Sequence, residues 1–158
     1  MTDAYIVGAV RSAGGKKNGR LSKIHPVDLG AEVVDALVAK TGVAVSEIDD
    51  LIFGCVSQVG AQSSNIARNI CLSSVLGEVV PGTTVDRQCG SGQQAMHFAA
   101  QGVLSGTQDL VVAGGVESMS QVPIGSNIID GYKAEHGLPF GKKMSERYPG
   151  CLLYTSPS

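Results

Sequence analysis

No run of apolar residues in this sequence approaches the length needed to cross a bilayer. The N-terminus has no basic stretch followed by an apolar core, so neither an anchor nor a secretory leader is expected. Excess charge is missing too. A formal net charge of −2 leaves no footprint for nucleic acid or an anionic membrane surface. The four cysteines, at positions 55, 71, 89 and 151, follow neither a metal-ligand spacing nor a disulfide framework. No metal site is therefore expected, and a reducing, cytoplasmic compartment is the simplest fit. No internal repeat is visible. Histidine is scarce, and nothing in the sequence positions His25, His97 or His136 for proton transfer.

What is present is a 158-residue chain with 43% hydrophobic residues and 21 glycines. That suffices for one domain with a real core, and suits an α/β protein with many tight turns. The chemistry points to the stretch Thr83 to Ala95, read as a short strand, a glycine turn and a helix with Cys89 at the joint. A cysteine is nucleophilic only as thiolate, and a helix N-terminus favours that form. Gly90 and Gly92 let backbone N–H groups come close to a ligand or a developing oxyanion. Ser91 is the expected N-cap, Ala95, Met96, Phe98, Ala99, Ala100, Val103 and Leu104 form a broad apolar surface, and Gly106 ends the helix. Free cysteines are more often buried and inert, which is the interpretation applied to Cys55, Cys71 and Cys151. The strand, turn and helix setting singles out Cys89. His97 lies eight residues on, roughly 12 Å along a helix, too far for direct proton transfer.

A second pattern competes. Gly90 to Ala95 fits G-x-G-x-x-A, and Glu117 closes the next apolar strand as the acidic residue of a dinucleotide fingerprint would. Against it, the strand feeding the turn ends in Asp86-Arg87-Gln88 rather than in buried apolar residues. Two other strand candidates also precede the unit.

Taken in order, Ala4 to Val10 is expected to be a first strand, and Arg11 to Lys23 a basic loop, either solvated or able to meet phosphate groups. Pro26 to Lys40 has the marks of a helix: Pro26 in the first turn, Val27, Ala31, Val34, Leu37 and Val38 at helical spacing, and Gly42 as its stop. Leu51 to Val59 is expected to be a strand buried on both faces. Ser63 or Ser64 is expected to cap a helix through Val75, with Asn65 and Arg68 sharing a face. Asp109 to Glu117 has the apolar run of a central parallel strand, and its Gly114 and Gly115 suggest close backbone approach. Sites in such sheets form beyond the carboxyl ends of the strands, which places Cys89 and the Gly114–Ser118 turn on one rim. Glu117 is then either an orienting carboxylate or a structural acceptor for a turn. From Gln121 onward glycine, proline and charge break every period, giving a lid or an ordinary surface loop.

Together, Val85 to Ala95 and Val112 to Ser120, with Ala9-Val10-Arg11 and Asn65-Ile66-Ala67-Arg68, closely resemble the thiolases, the acetyl-CoA acetyltransferases and 3-ketoacyl-CoA thiolases. The likeness runs to about Gly150. It implies the N-terminal half of a layered α-β-α-β-α fold with a mixed, mainly parallel sheet, dimeric or tetrameric in the full-length protein. Residues 1–120 would be the core half and 121–150 the start of a loop domain covering coenzyme A. The resemblance implies that Cys89 takes up an acyl group as a thioester, and that its N–H forms part of an oxyanion hole. Coenzyme A and acyl-CoA would be substrates, with no permanently bound cofactor and no residue assigned to one. The family's Gly-His-Pro and second Cys-x-Gly motifs, which supply its acid and base, do not occur here. This chain alone is therefore expected to be inactive. Residues 151–158 do not resemble the family's continuation and are expected to be a non-native or truncated tail. A ketoacyl synthase, or a non-catalytic subunit that binds acyl-CoA, are the alternatives.

Overall fold

The structure, a computed structural model, describes residues 3–149. The expected tail at 151–158 lies outside the described residues. Three parallel strands, β1 (Asp50–Gly54), β2 (Gly82–Val85) and β3 (Val111–Gly115), form a sheet in the order β2-β1-β3. Helices α1 (Pro26–Thr41) and α2 (Ile66–Ser73) cover one face and α3 (Ser91–Ser105) the other. The order explains the layering. The chain crosses from β1 to β2 through α2, then back past β1 to β3 through α3. Right-handed crossovers in opposite directions place their helices on opposite faces.

Alternation along β1 divides the core. Leu51 and Phe53 join Val27, Val34, Ile66, Ile70, Leu76 and Val80 under α1 and α2, while Ile52 packs with Ala95 and Ala99 of α3. The expectation of a strand buried on both faces holds for β1. The strand is shorter than expected, ending at Gly54, because Val56 and Ser57 turn away into hydrogen bonds with Glu117 of the neighbouring loop.

α1 begins at Pro26 as its sequence predicts. His25, which the sequence left without a role, is its N-cap: Nδ1 accepts the Val27 N–H at 3.3 Å. Gly42 closes the helix at φ +68 and donates to the Val38 carbonyl. The cap of α2 is Asn65, not Ser63 or Ser64. Its Oδ1 accepts the Arg68 N–H at 3.4 Å, whereas the Ser63 hydroxyl donates to the Gly60 carbonyl instead. Arg68 does not simply pair on the surface: its guanidinium donates to the Val80 carbonyl at 2.7 Å.

Two further expectations are corrected. Residues 4–10 form no strand; Tyr5, Ile6 and Val7 are largely exposed, and no described strand lies beside them to complete a ladder. β3, expected to be central, is an edge of the described sheet, and β1 is the central strand. Beyond β3, the segment expected to lack any period contains two short helices, α4 (Ser126–Lys133) and α5 (Lys142–Arg147). No helix among the described residues is long and apolar enough to cross a membrane.

Candidate active site

The register aligns Val85, Gly54 and Gly115 in one row, so the segments following all three strands leave from the same edge. Cys89 and the turn after Gly115 therefore share a rim, as the sequence predicts. What seats α3 on that rim is glycine. A Cβ on Gly115 would approach Gly92 Cα at 3.5 Å and the Gly54 carbonyl oxygen at 3.0 Å. Only glycines bring three backbones this close.

The turn before α3 is cross-braced by the polar triplet that argued against a dinucleotide site. Asp86 Oδ1 accepts the Gln88 N–H at 3.0 Å. Arg87 donates its N–H to Ser91 Oγ at 3.0 Å and its guanidinium to Gln94 Oε1 at 2.5 Å. Gly90 donates back to the carbonyls of Arg87 and Gln88. Ser91 is thus the first helical residue and ties the turn, while Gly90 takes the N-cap position expected of Ser91.

At the apex stands Cys89, exposed, with φ +48. A left-handed conformation is uncommon for any residue but glycine, and such positions gather at functional sites. The Cys89 N–H meets no acceptor among the described residues. The other two described cysteines differ sharply. Cys55 and Cys71 are buried. Burial pushes the Cys55 thiol up to about 12, aided by the charges of Glu117 and Asp86 and opposed by Gln62. Burial also raises Cys71. Both fit the inert role expected of them.

Glu117 resolves as a structural acceptor. Its Oε1 takes the N–H groups of Val56 and Ser57 at 3.2 and 3.1 Å. A dinucleotide site would need that carboxylate free for a ribose. Gln62, which the sequence did not single out, is fully buried beside it. Its Oε1 accepts the Ser118 N–H at 2.7 Å, and its Nε2 donates to the Ser57 carbonyl at 2.9 Å. A lone glutamine in a polar loop carries no sequence signal of burial. His97 is exposed on α3, and neither it, His25 nor His136 hydrogen-bonds Cys89. The basic loop docks onto the same region: Asn18 donates its N–H to Ser120 Oγ at 3.1 Å, and Gln121 donates to the Ser22 and Ile24 carbonyls. A mostly apolar cleft of about 470 Å³ lies between Val59–Ala61 and α4, bordered by Val122, Ile124, Ile129 and Lys133; Cys89 does not line it. Among the described residues no cluster of three or more His, Cys, Asp or Glu side chains is arranged to hold a metal ion.

Known proteins resemble this chain in sequence and fold. The family model for the thiolase N-terminal domain matches residues 4–144. The steroid 3-ketoacyl-CoA thiolase FadA6 of Mycobacterium tuberculosis is 54% identical over 126 residues, 80% of this chain and 31% of that protein. A 3-ketoacyl-CoA thiolase of Acinetobacter baylyi is 42% identical over 147 residues, 92% of this chain and 35% of that protein. The crystal structure of the Bacillus anthracis acetyl-CoA acetyltransferase superposes with a TM-score of 0.72 at 39% identity, covering 76% of this chain and 30% of that one. The chain thus spans about a third of the length of these relatives. With its α/β layers, its Cys89 turn and a family match over nearly its whole length, the chain belongs to the thiolase family.

Proposed function

We propose that this chain supplies the nucleophile of an acyl-CoA acyltransferase, with Cys89 as the residue that carries the acyl group. The observation that carries this reading is the state of Cys89: exposed, left-handed, at the joint of β2 and α3, with a backbone N–H that no described acceptor engages. An unengaged amide beside a nucleophile suits a developing oxyanion.

In the degradative direction, the Cys89 sulfur attacks the 3-keto carbon of a 3-ketoacyl-CoA. The bond between the α and β carbons breaks, and its electron pair leaves with the acetyl-CoA carbon, which takes up a proton. The acyl group remains on Cys89 as a thioester. The thiol of coenzyme A then collects it, and the Cys89 thiol is restored. The reverse sequence condenses two acetyl-CoA units. Coenzyme A is a substrate here, not a resident cofactor. Residues 121–150 are proposed to begin the domain that covers it, and the full-length protein is proposed to be a dimer or tetramer.

This chain by itself is proposed not to turn over. Thiolate formation and carbanion protonation both need an acid/base group, and no described histidine meets Cys89. Two measurements test the reading. In the full-length protein, acetyl-CoA should add one acetyl group at Cys89, seen by mass spectrometry of the Cys89 peptide and absent in Cys89→Ala. Cleavage of acetoacetyl-CoA by the purified 158-residue chain would overturn the claim of inactivity; acetylation at Cys55 instead of Cys89 would overturn the assignment of the nucleophile.

A further inference from the structure

The loops leaving β1 and β3 are joined by a closed ring of hydrogen bonds. Glu117 Oε1 accepts the Ser57 N–H at 3.1 Å, and the Ser57 carbonyl accepts from Gln62 Nε2 at 2.9 Å. Gln62 Oε1 accepts the Ser118 N–H at 2.7 Å, and Ser118 follows Glu117 in the chain. The Val56 N–H adds a second bond to Glu117 at 3.2 Å. Gln62 is fully buried, and Ser57 and Ser118 are nearly so. Both backbone polar groups of Ser57 are thereby fixed; the Gln62 end of the ring is buried, the Glu117 carboxylate lies at its exposed end, and a fully satisfied network of this kind holds one geometry.

The ring connects to the Cys89 turn through backbone alone. The segment it clamps begins at Gly54 and Cys55. Cys55 donates its N–H to the Val85 carbonyl at 3.0 Å, and the Gly54 carbonyl accepts the Val116 N–H at 3.1 Å. Gly54 in turn lies against the Ser91–Gly92 backbone, the first turn of α3. A shift in the clamped loop is therefore passed to the base on which the Cys89 turn stands.

We propose that Glu117 is a positioning residue for Cys89, acting through the Val56–Ser57 backbone and the Gly54 contact. This rests on Cys89 being the acyl-accepting nucleophile. The geometry required of Glu117 is an oxygen that takes two N–H groups at once, which a glutamine amide oxygen also supplies and an alanine does not.

The test is the rate at which iodoacetamide labels Cys89 in the full-length protein, where the acid/base groups are supplied, followed by mass spectrometry of its peptide across a pH series, in wild type, Glu117→Ala, Glu117→Gln and Glu117→Asp. Circular dichroism and thermal unfolding check that each variant is folded. Glu117→Ala should slow Cys89 labelling on the order of tenfold and displace its pH–rate profile. Glu117→Gln should restore both nearly to wild type. Glu117→Asp, one methylene short of the two amides, should fall between and covers the case in which the alanine variant does not fold. A folded Glu117→Ala or Glu117→Asp with the wild-type rate and profile overturns the proposal. So does a folded Glu117→Gln as slow as alanine, since charge rather than geometry would then matter. If wild-type Cys89 labels no faster than a free thiol, the nucleophile assignment itself fails, and that result is separable because it needs no variant.

Discussion

Gly54 of β1 lies directly beneath Ser91 of α3: a Cβ there would overlap the Ser91 carbonyl carbon and the Gly92 nitrogen. Both are backbone atoms and cannot swing aside. Gly54→Ala must lift the first turn of α3 from the sheet or bend β1. The expected result is a loss of about 1–3 kcal/mol in urea denaturation, the usual range for overpacking, together with slower alkylation of Cys89. A loss under about 0.5 kcal/mol, within the range of an ordinary surface substitution, would show that the helix does not depend on this contact.

The backbone of Cys89 makes its own prediction. At φ +48 a β-branched side chain is strongly disfavoured, while asparagine adopts this region with little strain. Cys89→Asn should therefore exceed Cys89→Val in stability by about 1–2 kcal/mol, although both remove the proposed acyl-accepting sulfur. Equal denaturation midpoints would mean that the turn relaxes out of the left-handed region.

Cys55 predicts a pH dependence. Its thiol is raised in the fold from an ordinary value of 9.0 to about 12, chiefly by burial. Between those values the unfolded chain gives up this proton and the folded chain keeps it. The stabilisation is thus complete below pH 9 and is lost as pH rises toward 12. Other groups titrate in the same window, so the measurement is a comparison. Cys55→Ala should show a shallower fall in stability above pH 9 than wild type. Parallel curves would contradict a buried, protonated Cys55.

Asn65 joins α2 to β2. Its Oδ1 accepts from Thr84 Oγ1 at 2.7 Å and caps the Arg68 N–H, and its Nδ2 donates to the Gly82 carbonyl at 2.8 Å. Asn65→Ala loses the cap and must hold alanine in a left-handed conformation. The expected cost is about 2 kcal/mol. Asn65→Asp, which keeps the acceptor but not the donor to Gly82, should cost less. Thermal unfolding of the two variants ranks them, and the opposite order would show that a carboxylate facing the Gly82 carbonyl costs more than the cap contributes.

Much of this was legible along the chain because it is local. Helix α1 follows from Pro26, the spacing of Val27, Ala31 and Val34, and Gly42. The Cys89 turn follows from a short strand, two glycines and an apolar helix within a dozen residues. The dinucleotide alternative failed on the same local grounds on which it was doubted, since Asp86, Arg87 and Gln88 are spent bracing the turn.

The rest depended on contacts between residues far apart in sequence. Whether Ala4 to Val10 pairs as a strand depends on a neighbour, and apolar content cannot supply one; exposed Tyr5, Ile6 and Val7 show the result. That β1 rather than β3 is central is set by which strands pair, since both β2 and β3 hydrogen-bond to β1, and no single segment carries that information. Glu117 and Gln62 are ordinary polar residues until the fold brings the two loops together. Sequence by itself determined where Cys89 stands and what local turn presents it, because those are effects of neighbouring residues. Tertiary structure alone decided what the turn rests on, because burial and hydrogen-bond satisfaction exist only once separate segments meet.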